Sequence, residues 1–593
     1  MSDDNFEIIT SDQVIDSLDN HFKIIAGPGA GKTYWLVNYI KYVLKNSKRI
    51  KPTSKIACIT YTNVAAEEIQ ERLNLNEDNV EVSTIHSFLY KNIVKPYAYL
   101  LKDENGKNII NFTKLDGHEE NVPTKGKISR WKELNNLWYL KDDSKIKDCF
   151  SDLGWFFEDG DLKLQVRNGY KRRIGKYNVP KESFYSYKKL HWDEGILHHE
   201  DVLYFSYQII KQYPIIKEFI VAKFPYIFLD EFQDTNPIQT RIIKWLAESG
   251  AMIGVIGDPA QSIYKFQGAS RKDFIDFSLP GQRNYKIESN RRSSKKIINF
   301  LNYIRKNDSV KQDCFRKCEG ASISVIESDD IDKVLKLFND ERLRLNLNDD
   351  YCVLTRNNES VIKLKNGYKT CDCKIWDNIH EADYRRERFL KRILTAQEFA
   401  YRSRYEMAIK EILKTLKTDS EGNIEEPFTK SVIKSDFIKR SVAVSILEYL
   451  VNNRTNNINK KLYDFYNELN DDLLGKLGLS LRNLRAKGNF KTLSESLTIK
   501  DLINSLKLEE EKDSDIRIIH KAKGTEYQSI LVYIENNEDI KHILNPEIDS
   551  EEDDCRIYYV AFSRAEDFLC IAVPKLNEEQ KRELSSLGFS FMS

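Results

Sequence analysis

His21-Phe22-Lys23-Ile24-Ile25-Ala26 is a short run of strand formers that passes directly into Gly27-Pro28-Gly29-Ala30-Gly31-Lys32-Thr33. Tyr34 to Ile40 then carries apolar residues at helical spacing. Strand, glycine-rich loop and helix in that order make a phosphate-binding loop, a unit that belongs to α/β architectures. Gly29 and Gly31 let backbone N–H groups face phosphate oxygens, and the helix N-terminus adds positive potential. Lys32 is placed to reach the β- and γ-phosphates and Thr33 to hold Mg²⁺. The first position of the loop is Ala26 rather than glycine, and an ordinary strand–turn–helix is the plainer alternative.

Two further apolar runs end in chemistry. Ile227-Phe228-Leu229 leads into Asp230-Glu231, and a metal-binding Asp beside a water-activating Glu is what phosphoanhydride hydrolysis requires. The continuation Phe232-Gln233-Asp234-Thr235 makes this pair more specific than a strand ending in two acids. Met252 to Gly257 reads as a third strand, leaving into Asp258-Pro259-Ala260-Gln261-Ser262-Ile263-Tyr264. Gln261 is positioned to contact a γ-phosphate, with Tyr264 and Phe266 turned toward another ligand. Far along the chain, Tyr559-Val560-Ala561-Phe562-Ser563-Arg564-Ala565 offers an arginine. If it serves the same nucleotide, the site is assembled from both ends of the polypeptide and closes between two lobes.

Composition sets the class. The 593 residues are enough for about four domains. Hydrophobic content is 41% and charged content 31%, as in a soluble globular protein. No apolar run reaches the length of a membrane span, and the acidic start Met1-Ser2-Asp3-Asp4 has no apolar stretch behind it. Nine cysteines without a framework point to a reducing compartment, so a cytoplasmic location is expected. The net charge is +1, so any nucleic-acid surface must be a local patch.

The order of the motifs resembles that of superfamily 1A helicases of the UvrD/Rep/PcrA type. Gln13 precedes the phosphate loop. Thr60-Tyr61-Thr62-Asn63-Val64-Ala65-Ala66 and Thr84-Ile85-His86-Ser87-Phe88 follow it. Then come Asp230-Glu231-Phe232-Gln233-Asp234, Gly257 to Ala269, Asn290-Arg291-Arg292-Ser293, His520-Lys521-Ala522-Lys523-Gly524-Thr525-Glu526-Tyr527 and the Arg564 segment.

The resemblance implies an α/β fold of two RecA-like P-loop NTPase lobes, parallel sheets flanked by helices, each with a mainly helical insertion. Residues 1–89 and 200–281 would form the first lobe and 90–199 its insertion. Residues 282–365 and 506–593 would form the second lobe and 366–505 its insertion.

It also implies ATP and Mg²⁺ as ligands. Gln13 would read the adenine edge, and the loop from Ala26 through Gly27, Pro28, Gly29, Ala30 and Gly31 to Lys32 and Thr33 would cradle the phosphates. Asp230 would bind Mg²⁺, Glu231 would activate water and Gln261 would sense the γ-phosphate. Arg292 and Arg564 would neutralise charge on the transferred phosphoryl group, and Glu526 would contact the ribose. Tyr61, Thr62, Asn63, His86, Tyr264, Phe266 and His520 would hold single-stranded or forked DNA by stacking and phosphate contacts.

The activity implied is an ATP-dependent helicase or translocase moving 3′→5′ on single-stranded DNA and unwinding duplex. A second reading is a DNA-sensing ATPase subunit of a bacterial anti-phage complex, like the helicase-like partner in Gabija systems. A third is a non-motor, nucleotide-gated scaffold. The stretch after Arg564 is short, so any nuclease is expected as a separate subunit.

The chain departs from the family at two places. Arg291 stands where relatives carry a Tyr that stacks on adenine, and its guanidinium plane offers a stacking surface of its own. Gln267 stands where relatives tend to carry Arg, and Phe266 where many carry Trp. In the first insertion, Lys163 to Trp192 holds nine Lys/Arg against one acid, Glu182, interleaved with Tyr170, Tyr177, Phe184, Tyr185, Tyr187 and Trp192. That pattern fits equally a nucleic-acid track and a basic face over a small aromatic core. Cys314/Cys318 and Cys371/Cys373 lack common zinc spacings and read as unpaired structural cysteines. The acidic run Pro546 to Asp554 reads as a solvated loop ahead of the arginine helix.

Overall fold

The computed structural model describes residues 6–592 apart from 17, 74–78, 309, 367–374, 402–403, 417, 419–423, 425, 430–431, 434, 485 and 507–514. Cys371 and Cys373 therefore lie outside the described residues. The chain divides into two compact units: residues 1–327, 338–351 and 522–593, and residues 328–337 and 352–521.

In the first unit, strands β1 (Glu7–Ile8), β2 (Phe22–Ala26), β3 (Ile56–Thr60) and β4 (Val80–Thr84) open the chain. Hairpins β5–β6 (Leu153–Glu158, Asp161–Val166) and β7–β8 (Arg173–Ile174, Tyr177–Asn178) follow, then β9 (Tyr226–Leu229), β10 (Met252–Gly257) and β11 (Arg283–Ile287). A seven-stranded sheet runs β1-β11-β2-β10-β9-β3-β4, and each of its pairings is parallel. Strands β2, β3 and β9 are buried at every position. Continuous apolar runs of this kind are what a parallel sheet covered by helices on both faces demands.

Parallel strands bring their C-terminal ends to one edge, and ligands of open α/β sheets bind at that edge. The phosphate loop leaves β2, Tyr61 and Thr62 leave β3, Asp230 and Glu231 leave β9, and the Asp258–Gln267 loop leaves β10. Register keeps these exits level: Leu229 pairs with both Val255 and Ile59, and Gly257 with Ile25. Motifs scattered in sequence thus meet because the sheet is parallel.

The same unit holds a short parallel pair, β12 (Ser289–Asn290) with β13 (Asp313–Cys314). It also contains β14 (Ser324–Glu327). In the second unit, β15 (Tyr351–Thr355) and β16 (Ile516–Ile518) pair in parallel. Back in the first unit, β17 (Tyr527–Tyr533), β18 (Ala565–Val573) and β19 (Ser590–Met592) join β14 in a second parallel arrangement ordered β17-β18-β14-β19. Arg564 sits at the elbow between the buried helix Asp554–Phe562 and β18.

The first insertion is not all helix. Helices Lys125–Asn135, Asp143–Ser151 and Ser183–Trp192 pack with the two hairpins. Helix Ser183–Trp192 buries Phe184, Tyr187, Lys188, His191 and Trp192, an i, i+3, i+4, i+7, i+8 stripe, and leaves Tyr185 outward. Lys188 is tolerated there because Asp201, equally buried, pairs with it at 2.9 Å.

The second unit is mainly helical. Helices Ile375–Tyr401, Tyr405–Thr415, Asp436–Asn452 and Leu462–Glu468 close on a core that includes Leu390, Ile393, Ile446, Leu450 and Phe465. No helix among the described residues is long and apolar enough to cross a membrane.

Candidate nucleotide site and nucleic-acid interface

The phosphate loop adopts the conformation that its glycines permit. Gly29 and Gly31 have φ of 69° and 82°, and Gly31 caps the helix Lys32–Asn46. A Cβ at Gly29 would lie 2.6 Å from Asn290 Oδ1 and 2.7 Å from Arg292 Cβ. The loop is therefore pressed against the segment that carries the first arginine. Asn290 Nδ2 and Gln312 Nε2 both donate to the Pro28 carbonyl, at 3.1 and 2.8 Å, and Arg291 N donates to Gly29 O at 2.8 Å.

A cleft of about 460 Å³ opens beside the loop, a size that suits a nucleotide. It is lined by residues 27–34, Tyr61, Thr62, Asp230, Glu231, Gln261, Tyr264, Arg291, Arg292, Glu526 and Arg564. Gln13, Ala26, Asn63, His86, Phe266 and His520 are not among the lining residues. Ala26 ends β2 and accepts from Lys32 Nζ at 3.3 Å. Gln13 accepts from the indole of Trp35 at 2.7 Å through its carbonyl and from Thr10 N at 2.7 Å through its side chain. Its neighbour Asp12 pairs with Arg291, whose guanidinium also lies 4.0 Å over the Phe315 ring. His520 belongs to the second unit, on the turn after β16.

Electrostatics in the cleft are those of an anion site. Lys32 lies 3.9 Å from Glu231 Oε1, too far for a tight pair, so its charge is available. Burial, with Glu231 beside it, pushes the Asp230 carboxyl up. The cations Lys32 and Lys523 hold Glu231 below the usual carboxylate range despite its burial. Glu231 has φ 54°, a left-handed conformation that costs about 1–3 kcal/mol in a non-glycine residue. Its carboxylate accepts from Gln233 Nε2 at 2.5 Å. Thr33 and Asp230 supply hard oxygens on one cleft, the donor chemistry of Mg²⁺, and a buried carboxyl pushed upward is one that a cation would relieve.

The two arginines differ in their bonding. Arg292 Nε donates to Glu526 Oε2 at 2.7 Å, and its NH1 donates to Ser563 O at 3.0 Å. Arg564 is buried and donates to Val560 O, Thr525 O, Ser563 Oγ and Gln261 Oε1 at 3.0, 3.2, 2.8 and 3.0 Å. Burial and the nearby Arg292 lower the pKa of Arg564 below the ordinary arginine range. Gln261 turns its other end to Asp258, with Nε2 to Oδ2 at 2.8 Å, so both ends of the amide are committed. Asp258 is in turn held by the buried Arg305 at 3.3 Å, and Arg305 also donates to Asp308 at 2.7 Å and to the Tyr559 hydroxyl at 3.0 Å.

Sequence reasoning assigned no role to Lys523, although it sits in a quoted motif. It pairs with Asp234, donates to the Gln261 carbonyl at 2.7 Å, approaches Glu231 at 3.7 Å and lies 5.2 Å over the Tyr264 ring. Asn290 and Asp258 stand in motifs but carry no assigned role there, and Gln312 and Arg305 lie among other polar residues in sequence, where nothing marks them as buried.

The aromatic residues form a step beside this cleft. Tyr61 and Tyr264 stack with centroids 4.6 Å apart, and Tyr264 and Phe266 lie 5.9 Å apart. The Tyr61 hydroxyl bonds the Gln267 side chain. Phe266 is 57% exposed. Thr62 caps the following helix through its hydroxyl, at 3.2 Å from Ala65 N. His86 lies among His118 and His199, whose Nδ1 atoms are 2.7 Å apart. Burial, reinforced by the neighbouring imidazoles, lowers His86 to about 3 and His118 to about 4.

The acidic run is not simply solvated. Asp549 pairs with Arg271, Lys265 Nζ lies 3.8 Å from Glu552 and donates to Glu551 O at 3.0 Å, and Asp553 pairs with Arg556. Cys314 and Cys318 are free thiols, and no metal-holding cluster of His, Cys, Asp and Glu occurs among the described residues.

A family model for the UvrD/REP helicase N-terminal domain matches residues 10–280, and one for the UvrD-like helicase C-terminal domain matches residues 452–575. The chain belongs to the UvrD-like helicase family. It is 31% identical over 354 residues to the Gabija protein GajB of Bacillus cereus (strain HuB5-5), covering 52% of this chain and 51% of that protein. It is 30% identical over 307 residues to the ATP-dependent DNA helicase PcrA of Bacillus subtilis (strain 168), covering 51% of this chain and 39% of PcrA. PcrA of Staphylococcus aureus (strain Mu50) is 28% identical over 313 residues, with 51% and 40% covered. The matches thus span about half, or less, of these curated relatives. For a UvrD-like helicase, the parallel sheets and the phosphate-loop cleft are the expected frame.

Proposed function

We propose that this chain is an ATP-driven translocase that moves 3′→5′ on single-stranded DNA and unwinds duplex ahead of it. The observation that carries the reading is the Asp258–Gln267 loop. Gln261, at one end, bonds Arg564 in the nucleotide cleft, and Tyr264, three residues on, stacks against Tyr61. One short segment therefore serves both the phosphates and a base-stacking surface.

In this reading Lys32 and the loop N–H groups bind the phosphates, and Glu231 orients and deprotonates the attacking water. Arg292 and Arg564 stabilise the charge that develops on the transferred group, an effect worth about 10³–10⁵ in rate in related chemistry. A Mg²⁺ ion held by Thr33 and Asp230 would neutralise phosphate charge. Tyr61, Tyr264 and Phe266 stack bases, while Thr62, Asn63 and His86 contact the strand. Gln13 and Arg291 flank the adenine, and Glu526 the ribose.

Strand separation on duplexes with 3′ or 5′ tails, made of DNA or RNA, tests substrate and polarity together. Unwinding from 3′ DNA tails is expected, and unwinding only from 5′ tails would overturn the polarity. Lys32→Ala and Glu231→Gln should each abolish DNA-stimulated ATP hydrolysis, and a rate untouched by DNA would favour a nucleotide-gated scaffold instead.

The likeness to GajB supports a second reading of the biological task. The chain would then be the DNA-sensing ATPase of a cytoplasmic anti-phage complex whose nuclease is a separate subunit. Co-purification with a nuclease is the expected outcome, and an isolated monomer that unwinds long duplexes by itself would oppose it.

A further inference from the structure

The basic and aromatic segment of the first insertion divides cleanly in three dimensions. Phe184, Tyr187 and Trp192 are core. Tyr170 and Tyr177 are 77% and 42% exposed, and the adjoining Trp138 and Tyr139 are 58% and 45% exposed. Tyr139 and Tyr177 meet edge to face at 4.9 Å, and Lys176 lies 5.2 Å over Tyr177. Tyr177 sits in the β7–β8 hairpin opposite Ile174, with Arg173 next to it, and Val179 N donates to Arg172 O at 2.9 Å. These residues therefore form one contiguous tip.

The cations divide in the same way. Lys163, Arg167, Lys171, Lys188 and Lys189 each pair with a carboxylate. Arg172, Arg173, Lys176 and Lys181 make no ion pair with any described acid, and Glu182 is the one acid in the segment. Unneutralised charge and exposed rings thus coincide at the hairpin tip, while the rest of the segment is internally satisfied. Exposed aromatic faces between unpaired cations match unstacked bases on a phosphate chain.

We propose that the tip formed by Trp138, Tyr139, Arg173, Lys176 and Tyr177 is a second single-strand nucleic-acid contact, separate from the aromatic step of the motor cleft. Phosphates meet Arg173 and Lys176, and bases stack on the exposed rings. The inference rests on the reading of the chain as a single-strand-binding motor, and the tip lengthens the track that the protein occupies.

The test uses the full-length protein and oligothymidylates from about 8 to about 40 nucleotides, a range chosen because compact single-strand sites take about 4–16 nucleotides. Binding anisotropy is measured across a salt series for the wild type, for Arg173→Ala/Lys176→Ala and for Trp138→Ala/Tyr177→Ser. All four positions are at the surface, and an unchanged thermal midpoint checks the fold.

Both variants should bind the shortest strands as the wild type does and lose about tenfold or more on long strands. The charge variant should also flatten the log–log salt slope on long strands by about 1.4, at ~0.7 per phosphate contact. ATP hydrolysis saturated with short strands should be unchanged. Wild-type affinity and slope at every length would overturn the tip alone. A wild type that binds no single strand overturns both this inference and the motor reading. Loss of a protein partner with DNA binding intact would make the tip a protein surface and overturn the proposal.

Discussion

Arg564 and Gln261 lie 303 residues apart in sequence and share a buried hydrogen bond of 3.0 Å. A bond from a charged donor to a buried acceptor contributes about 1.5–3 kcal/mol net. Arg564→Ala removes that bond together with the guanidinium proposed to stabilise the transition state, so a loss of about 10³–10⁵ in kcat is expected. Gln261→Ala leaves Arg564 anchored to Val560 O and Ser563 Oγ at 3.0 and 2.8 Å, so its cost should be smaller. If the two side chains act as one device, the double variant must be less damaged than the product of the single effects. The shortfall should equal the shared bond, about 10- to 150-fold in kcat/KM.

Steady-state ATP hydrolysis with saturating single-stranded DNA, on the four proteins of the cycle, measures this. Effects that multiply to within about twofold would mean independent sites, and the link from loop to arginine would fail. Gln261→Glu supplies an internal control. It keeps an acceptor for Arg564 but sets a carboxylate where Nε2 now donates to Asp258 at 2.8 Å. Its penalty should therefore appear in the thermal midpoint as well as in the rate.

Lys523→Met strands the fully buried Asp234 beside Glu231, and losing one partner of a buried pair costs about 3–5 kcal/mol; chemical denaturation should register it, and Asp234→Asn in the same chain should recover most of the loss. Gly29→Ala forces a side chain into a φ of 69° and against Asn290, so calorimetric affinity for a non-hydrolysable ATP analogue should fall at least tenfold while the far-ultraviolet spectrum is unchanged. The histidine group predicts acid sensitivity. Its folded pKa values lie below the ordinary 6.5, so the unfolded chain takes up protons first as pH falls. Stability is complete above about pH 6.5 and declines toward pH 4. His86, the lowest of the three, accounts for about 2 kcal/mol at pH 5, and the better solvated His118 and His199 for less. Thermal midpoints from pH 7 to 5 should fall more steeply for the wild type than for His86→Asn.

The parts of the site that were legible in sequence are those in which chemistry and backbone are adjacent in the chain. The phosphate loop needs its glycines next to Lys32 and Thr33, and Asp230 and Glu231 must leave a buried strand together. Local spacing therefore reports them. Arg305 and Gln312 act across long sequence separations, and nothing near them distinguishes a buried anchor from a surface cation or amide. The β7–β8 hairpin of the first insertion was missed because its strands have two residues each, too short for alternation to register. The partition of the aromatics, which the basic and aromatic pattern left open between two readings, does have a signal in the helical spacing. Phe184, Tyr187 and Trp192 follow a helical stripe and Tyr185 falls off it.

The loop that joins nucleotide cleft and aromatic step has a physical reason to transmit movement rather than absorb it. Its first residue, Asp258, is clamped by buried Arg305, and its amide accepts no slack because Gln233 Oε1 receives Asp258 N at 3.0 Å. Its far end is held by the Tyr61 stack and the Tyr61–Gln267 bond. Between them lie two short 3₁₀ turns, Pro259–Gln261 and Lys265–Gln267, with little freedom to extend. Lys523 bridges the middle, bonded to the Gln261 carbonyl and lying over the Tyr264 ring. A displacement of Arg564 that pulls on Gln261 must therefore appear at the rings or break a buried bond. Proximity alone does not establish coupling. The cycle at Arg564 measures one end of the linkage. The same cycle between Gln261→Ala and Tyr264→Ala, read by single-strand affinity with and without nucleotide, measures the other, and coupling at the first end without the second would confine Gln261 to hydrolysis.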